Sequence, residues 1–282
     1  MNDQITWPAV TCLCPTYGRF QLLRDALACF LAQDYPGEKR LLILNDAPKA
    51  FLLAGGICED AEEFSGLEDG EVYALQTPNG FANLGHKRQM LLECAQTPIV
   101  AHWDDDDLYL PWHLTRSVIA LLKHNAGCVK SAGAWYLTGP RDRLVNNGIH
   151  HNVFEGSMVF YRDRALELGG YPPLHSGQAA HLMNSFHRAG ELYPIPDTDG
   201  PVSYVYRWSQ GCGHISSWHN APDSAARFRA ANTDFGDGRP LTPGDLSPYW
   251  DAALKSAREV LSKPDYAAFE AGLKPVPEAR KA

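Results

Sequence analysis

Hydrophobic and polar positions follow two periods along the first half of the chain. "AVTCLC" (9–14) is a short apolar run closed by Pro15, the pattern of a buried strand. Cys12 and Cys14 alternate along it, which places both on one face. In "RFQLLRDALACFLAQ" (19–33), Phe20, Leu23, Leu27, Phe30 and Leu31 recur at helical spacing, and "YPG" then breaks the chain. Further strands are predicted at "RLLILND" (40–46), "EVYALQT" (71–77) and "PIVAHW" (98–103). Helices are predicted at "HKRQMLLECAQ" (86–96) and "PWHLTRSVIALLKHN" (111–125). Pro111 falls in a first helical turn, where its missing N–H costs nothing. "GCVKSAGAWYLTG" (127–139) reads as one more strand.

Beyond that point the alternation loosens. "VFEGSMVFYR" (153–162) predicts a strand, "RDRALELGGY" a short helix with a glycine stop, "GQAAHLMNSFHRAG" (177–190) a helix ended by Gly190, and "VSYVYRW" (202–208) a strand. After about residue 225 the chain is rich in Pro, Gly and Asp, and it closes on a predicted helix, "SPYWDAALKSAREVLS" (247–262), with a polar tail. Strands alternating with helices predict an α/β protein with a mostly parallel central sheet flanked by helices. A length of 282 residues suits one large α/β domain with an appendage, or two small domains.

Composition narrows the partners. The chain is 45% hydrophobic and 21% charged, ordinary for a folded domain. Its net charge is −8, with no Lys/Arg cluster, which disfavours strong non-specific binding to nucleic acid or to an anionic membrane. The cysteines, at 12, 14, 29, 58, 94, 128 and 212, are odd in number and form no C-x-x-C pair. They read as reduced thiols of a cytoplasmic protein. "MNDQITWPAV" has no signal-peptide character, and no apolar run approaches the ~20 residues that span a bilayer, so integral membrane association is not expected.

Four stretches carry candidate chemistry. Asp104, Asp105, Asp106 and Asp107 stand together between an apolar strand and a helix. A bare run of this kind suits a solvated acidic turn at a helix start. Ligands of open α/β sheets, however, bind at the carboxyl ends of the strands, and there such a run suits a hard cation, Mg²⁺ or Mn²⁺, shared with phosphate oxygens. "LLILND" sets Asn45 and Asp46 at another strand end, where Asp46 is either a turn residue before Pro48 or an acceptor for a nucleobase imide or ribose hydroxyl. "NLGHKRQ" (83–89) puts His86, Lys87 and Arg88 at a helix start, where cations oppose the dipole and an anion such as a diphosphate would relieve them; surface solvation is the plainer alternative. "YVYRWSQGCGHIS" (204–216) ends a strand in Arg207 and Trp208 and presents His214 after a Gly-rich turn, as a hydrogen-bonding residue or a metal ligand.

Taken in order, these segments resemble the family 2 glycosyltransferases, whose Rossmann-like nucleotide-sugar-binding fold is called GT-A. "VTCLCPTYGRFQLLRDALACFLAQDYPGEKRLLILNDAP" resembles the family's opening, with its P-T-Y-x-R, Q-x-Y-P and an Asp near a strand end. "NLGHKRQMLLECAQTPIVAHWDDDDLYLPWHL" resembles the block with Asn-x-Gly, Arg and D-x-D, and "EGSMVFYRDRALELGGYP" the acceptor-side block. The likeness spans roughly residues 9–215. It implies a GT-A domain over 1–225, with a nucleotide-sugar half to about 108 and an acceptor half over 109–225, followed by a helical C-terminal extension over 226–282.

The resemblance also implies roles. Pro15, Thr16 and Tyr17 would line the nucleobase pocket, and Asp46 would hold the base. Arg88 would approach base or diphosphate. Asp104 and Asp105 would serve the nucleotide sugar, and Asp104, Asp106 and His214 the Mg²⁺ or Mn²⁺, with Asp107 in support. The partners would be a nucleoside diphosphate sugar and a hydroxyl-bearing acceptor: a glycan, a lipid-linked glycan, a protein or a modified nucleic-acid base. Trp135, Tyr136, Tyr171, Trp208 and Trp218 are candidates to stack on sugar or base, or else core packing.

One block departs from the family. Where a Glu-Asp pair holds the general base of an inverting displacement, this chain has Gln178 and Ala179. Alanine takes no proton. His175 or His181 would then be the base, or the protein would bind a nucleotide sugar without turnover. A metal-dependent nucleotidyltransferase is a third reading, opposed by "PTYGRF" where a Gly-rich phosphate loop would stand.

Overall fold

The apolar run at Val10 becomes the middle of a sheet buried on both faces. The computed structural model describes residues 7–47, 52–53, 56–57, 71–77, 80–140, 145–151 and 154–210. In it, strand β1 (Val10–Thr16) is followed by helix α1 (Phe20–Leu31), β2 (Lys39–Asn45), a short hairpin of β3 (Leu52–Leu53) and β4 (Gly56–Ile57), and β5 (Val72–Gln76). Then come α2 (Leu84–Cys94), β6 (Ile99–His102), β7 (Leu108–Tyr109), α3 (His113–Lys123), β8 (Cys128–Ser131), β9 (Gly133–Pro140) and β10 (Val145–His151). The described chain closes with β11 (Val159–Tyr161), α4 (Arg162–Glu167), α5 (Gln178–Arg188), β12 (Leu192–Ile195) and β13 (Tyr204–Gln210).

Among the described residues the main sheet has seven strands in the order β12-β8-β11-β6-β1-β2-β5. Pairing is parallel except on the two sides of β11. This is the mostly parallel α/β architecture that the alternating pattern predicts. Side-chain alternation sorts the core into two layers. Cys12, Cys14, Leu41 and Ile43 face Leu23, Leu27 and Phe30 of α1 and Val118 and Leu121 of α3. Leu13, Leu42 and Leu44 face Leu91 and Leu92 of α2 and Leu182 and Phe186 of α5. Burial of both faces explains why these strands are continuous apolar runs rather than half-polar ones. Described Cys12, Cys14, Cys29, Cys94 and Cys128 are free thiols. No helix among the described residues is long and apolar enough to cross a membrane.

Several elements differ from the sequence pattern. Strand β1 runs through Pro15 to Thr16 rather than stopping before it. The Leu13 carbonyl accepts the Trp103 N–H at 3.1 Å, so Pro15, two residues on, turns its missing N–H toward the same side. There β6 has already ended its pairing, at Leu13–His102, and no ladder bond is lost. The stretch 127–139 is two strands in two sheets, broken at Ala132. A Cβ on Gly133 would sit 2.7 Å from the Asp197 carboxylate, a close approach that only glycine allows. The stretch 153–162 is a 3₁₀ turn (Glu155–Ser157) followed by β11, which runs antiparallel. The pattern also missed a second, four-stranded sheet, β10-β9-β13-β7. The predicted helix over 247–262 and the whole of 226–282 lie outside the described residues.

Two histidines are walled into this fold. His102, on β6, is fully buried, and burial beside Arg88 holds it well below the usual imidazole range. His113, at the start of α3, is fully buried too, and burial, with Arg116 nearby, lowers it to about 3. Unfolded histidine titrates near 6.5, so below that pH the unfolded chain binds a proton that the folded chain refuses. The contribution of a neutral His113 to stability is therefore complete above about pH 6.5 and is lost as pH falls toward 3. His113→Asn is expected to destabilise at pH 7.5, by a penalty that shrinks by up to about 1.4 kcal/mol per pH unit in the acid range. Urea titrations of both proteins at pH 7.5, 6.5 and 5.5 measure it; a penalty independent of pH contradicts the assignment.

Candidate active site

Neighbouring parallel strands β6, β1 and β2 deliver their carboxyl ends to one edge of the sheet. The aspartate run leaves β6, Thr16 and Tyr17 leave β1, and Asn45 with Asp46 leaves β2. The run is also the passage between sheets, because β7 belongs to the second one. Trp103 anchors its entry. The indole is fully buried, donates Nε1–H to the Ala26 carbonyl at 2.9 Å, and stacks on Tyr109 with ring centroids 3.9 Å apart. The Tyr109 hydroxyl then accepts the Asp104 N–H at 2.8 Å and donates to the Gly156 carbonyl at 3.0 Å.

The four carboxylates divide into two pairs. Asp105 is fully buried; it accepts from Thr16 Oγ1 at 2.7 Å and from Arg19 Nε at 3.1 Å, and forms an ion pair with Arg19. Burial raises its carboxyl to about 6, against the pull of Arg19. Asp107 is also buried, accepting the Tyr204 hydroxyl and the Arg207 N–H, the latter at 2.9 Å. Burial, with Asp106 and Asp104 adjacent, pushes it well above the carboxylate range. Asp104 and Asp106 instead keep 20% and 15% of their side-chain surface, against 1% for Asp105. Each gives one oxygen to a guanidinium, Asp104 to Arg88 and Asp106 to Arg19, the latter at 3.0 Å.

Helix α2 starts from Asn83, whose Oδ1 caps the His86 N–H at 2.9 Å. The cations at this helix start turn inward onto the protein's own anions. Lys87 is buried and pairs with Asp46 while also donating to the Thr16 carbonyl. Burial draws the Lys87 ammonium below its usual range, opposed by Asp46. The second oxygen of Asp46 accepts the Phe81 N–H at 2.9 Å. Arg88 is buried beside Asp104, and its Nε and Nη1 have no hydrogen-bond partner among the described residues. Two buried, unpartnered donors next to a carboxylate suit an additional anion. Gly85 is required here, since a Cβ would collide with the Pro172 carbonyl.

Other candidates fall in different surroundings. Pro15 and Thr16 are buried, and Tyr17 is 56% exposed at the mouth of β1. Tyr136 and Tyr171 are buried and Trp135 is half-buried. Tyr171 belongs to the core layer under α2 and α5. Gln178 opens α5, is buried, and leaves Oε1 without a partner, while Ala179 packs against the same core. His175 and His181 are exposed, and neither ring makes a hydrogen bond among the described residues. His214, Trp218 and the side chain of Trp208 lie outside the described residues. Among those described, no three His, Cys, Asp or Glu side chains converge tightly enough to hold a metal by themselves.

The family model described as Glycosyl transferase family 2 matches residues 11–185. The chain belongs to glycosyltransferase family 2. A sequence search of curated proteins finds no match. Among solved structures, the mannosyltransferase PcManGT from Pyrobaculum calidifontis, in complex with GDP-Man and Mn²⁺, aligns at TM-score 0.55 and 18% identity over 95% of this chain and 80% of that one. TarS 1–349 from S. aureus, in complex with UDP-GlcNAc, aligns at TM-score 0.54 and 14% identity over 94% of this chain and 79% of that one. At such identities the likeness is one of fold, and that fold is GT-A. The match supports glycosyl transfer over the nucleotidyltransferase reading.

Sequence reasoning gave no role to several residues that build this glycosyltransferase's site. Arg19 stood in the P-T-Y-x-R pattern without a task. Tyr109 and Tyr204 carried no signal, and Gly156 stood in the acceptor-side block without a task, since their roles come from contacts across the fold. Gly156 faces the carboxylates so closely that a Cβ would lie 3.1 Å from Asp107 Oδ2 and 3.2 Å from Asp104 Oδ2, and would clash with the Tyr204 hydroxyl. Gly156→Ala is therefore expected to cost about 1–3 kcal/mol by overpacking and to displace the Tyr204–Asp107 bond. Chemical denaturation measures the loss; stability within about 0.5 kcal/mol of wild type contradicts this geometry.

Proposed function

We propose that this glycosyltransferase moves a sugar from a nucleoside diphosphate sugar to a hydroxyl acceptor in one inverting displacement, assisted by Mg²⁺ or Mn²⁺. The observation that carries the reading is the division of the aspartate run. Asp105 and Asp107 are spent on internal bonds, while Asp104 and Asp106 reach the surface where three parallel strands end. Two carboxylates, completed by diphosphate oxygens and water, are the donor set that Mg²⁺ or Mn²⁺ accepts. His214 is proposed as a further ligand. The metal would act as a Lewis acid on the departing diphosphate.

The protein's own groups do the rest. Arg88 offers Nε and Nη1 to the diphosphate, whose binding satisfies donors otherwise buried without partners. Pro15, Thr16, Tyr17 and Asp46 shape the nucleobase end, with exposed Tyr17 free to stack and Asp46 held in place by Lys87. Asp105 holds Arg19 and Thr16 so that the run keeps its shape when the donor enters. Arg88 and Arg19 hold Asp104 and Asp106 before a cation arrives, so metal binding must share or displace a guanidinium. The donors named in the two solved neighbours, GDP-Man and UDP-GlcNAc, are the first to try. The free thiols fit a cytoplasmic setting.

Thermal shift with UDP- and GDP-linked sugars tests this reading. At about 100 times Kd, the matching donor with Mn²⁺ should raise Tm by about 5 °C or more. Asp106→Ala should abolish the metal-dependent part. If that variant keeps the full shift, the metal assignment is wrong; if the wild type binds donor with metal yet never releases the nucleoside diphosphate, the protein is a nucleotide-sugar binder.

A further inference from the structure

Transfer to a hydroxyl requires a group that removes the acceptor's proton. As the acceptor oxygen bonds to the anomeric carbon, the bond from that carbon to the diphosphate breaks. Its electron pair leaves with the diphosphate, and the hydroxyl proton must pass to a base. Ala179, at the position where the family resemblance expects that base, packs its methyl against the core. The carboxylates of the aspartate run do not replace it. Asp105 and Asp107 are buried on hydroxyl, peptide and guanidinium donors, and Asp104 and Asp106 are each engaged by an arginine on the donor side. Asp46 is held by Lys87 and the Phe81 N–H. His102 is fully enclosed, between the Glu155 carbonyl at 2.7 Å and the Tyr171 hydroxyl.

Glu155 is placed differently. It opens the 3₁₀ turn Glu155–Ser157, and its half-buried carboxylate makes no hydrogen bond to another side chain or ion pair among the described residues. The charged groups that face it are Asp104, Arg88 and Lys130. The turn is held rigidly. Its first carbonyl accepts from His102 at 2.7 Å, its second from Tyr109 at 3.0 Å, and Ser157 Oγ accepts the Ser131 N–H at 3.1 Å. The Tyr109 hydroxyl also accepts the Asp104 N–H, so one side chain spans the backbone of the aspartate run and the backbone next to Glu155. The turn packs against β6, β8 and α5. It thus stands between the Asp104 carboxylate and the helix on which the family's base would be carried.

From this arrangement we propose that Glu155 is the general base of the transfer, taking the acceptor's proton in place of the carboxylate that Ala179 lacks. This rests on the glycosyl-transfer reading above. A well-held backbone, a carboxylate uncommitted to any other described residue, and a place beside the donor-binding aspartates are what such a group needs. The sequence hid it, because Glu155 lies inside a run that reads as strand.

Release of nucleoside diphosphate with water as the acceptor provides the test, since water needs the same proton removed. A panel of UDP- and GDP-linked sugars with Mn²⁺ is turned over by wild type, Glu155→Gln and Glu155→Asp. Glu155→Gln is expected to lower kcat by about 100- to 10,000-fold, with KM for the donor and the donor-induced thermal shift within about threefold and a few degrees of wild type. Glu155→Asp, which keeps a carboxylate, should recover part of kcat. If Glu155→Gln does not fold, Glu155→Asp decides: a reduced kcat at unchanged donor KM supports the base, and an unchanged kcat overturns it. Glu155→Gln with kcat within about threefold of wild type overturns the proposal, as does a variant that loses donor binding and kcat together. A kcat that collapses on His175→Ala or His181→Ala, with Glu155→Gln active, moves the base to that histidine. A wild type that turns over no donor overturns the transfer reading and this proposal together.

Discussion

Repulsion among four adjacent aspartates is the constraint around which the site is arranged. Two carboxylates about 5 Å apart at an effective dielectric constant of about 20 repel by about 3 kcal/mol, comparable to what burial of a whole leucine contributes. The protein does not leave four such groups in one environment. It buries Asp105 and Asp107 on opposite partners, Thr16 and Arg19 for one, Tyr204 and the Arg207 peptide for the other. Asp104 and Asp106 stay partly exposed, each against a guanidinium. Guanidinium partners for Asp104, Asp105 and Asp106, and hydroxyl and peptide donors for Asp107, let a run that resembles a solvated acidic turn sit at the end of a buried strand.

The fold is what brings these arginines to the run. Arg19 comes from the start of α1, Arg88 from α2 and Arg207 from β13, so three separate elements close on one loop. Arg207 is a tie between them: its N–H reaches Asp107 at 2.9 Å, its Nε the Asp106 carbonyl at 2.6 Å, and its Nη1 pairs with Asp25 of α1. Because the run also carries the chain from the main sheet to the second sheet, the same bonds that hold the carboxylates tie the two sheets together. The shape of the candidate site and the packing of the fold are therefore coupled here, through residues such as Tyr204 and Gly156 that press on the aspartate run.

Much of the scaffold was legible because of how it is buried. Strands β1, β2 and β6 are covered on both faces, so they appear as unbroken apolar runs, and the chemistry at their ends could be placed from the strands alone. The family match over residues 11–185 and the GT-A fold agree with the α/β scaffold read from those runs. The division of the aspartate run was not legible. Four identical residues carry no periodicity, and the partners that decide which turn inward lie 89 residues away at Thr16 and 97 away at Tyr204. Lys87 and Arg88 were visible as cations at a helix start, but their internal anions were not. The second sheet escaped because β7 is two residues long, β10 (VNNGIHH) has no apolar run, and β9 continues from β8 after Ala132. Glu155 escaped for a related reason: a 3₁₀ turn between two strands leaves no distinct pattern.

The account stands or falls on the two faces of the aspartate run. A crystal structure with Mn²⁺ and the nucleoside diphosphate of the matching donor tests it directly. The prediction is an ion bound by carboxylate oxygens of Asp104 and Asp106 at about 2.0–2.3 Å and by the diphosphate, with Asp105 still on Thr16 and Asp107 still on Tyr204. An ion held instead by Asp105 or Asp107, or a diphosphate bound at this edge without any ion, would contradict it.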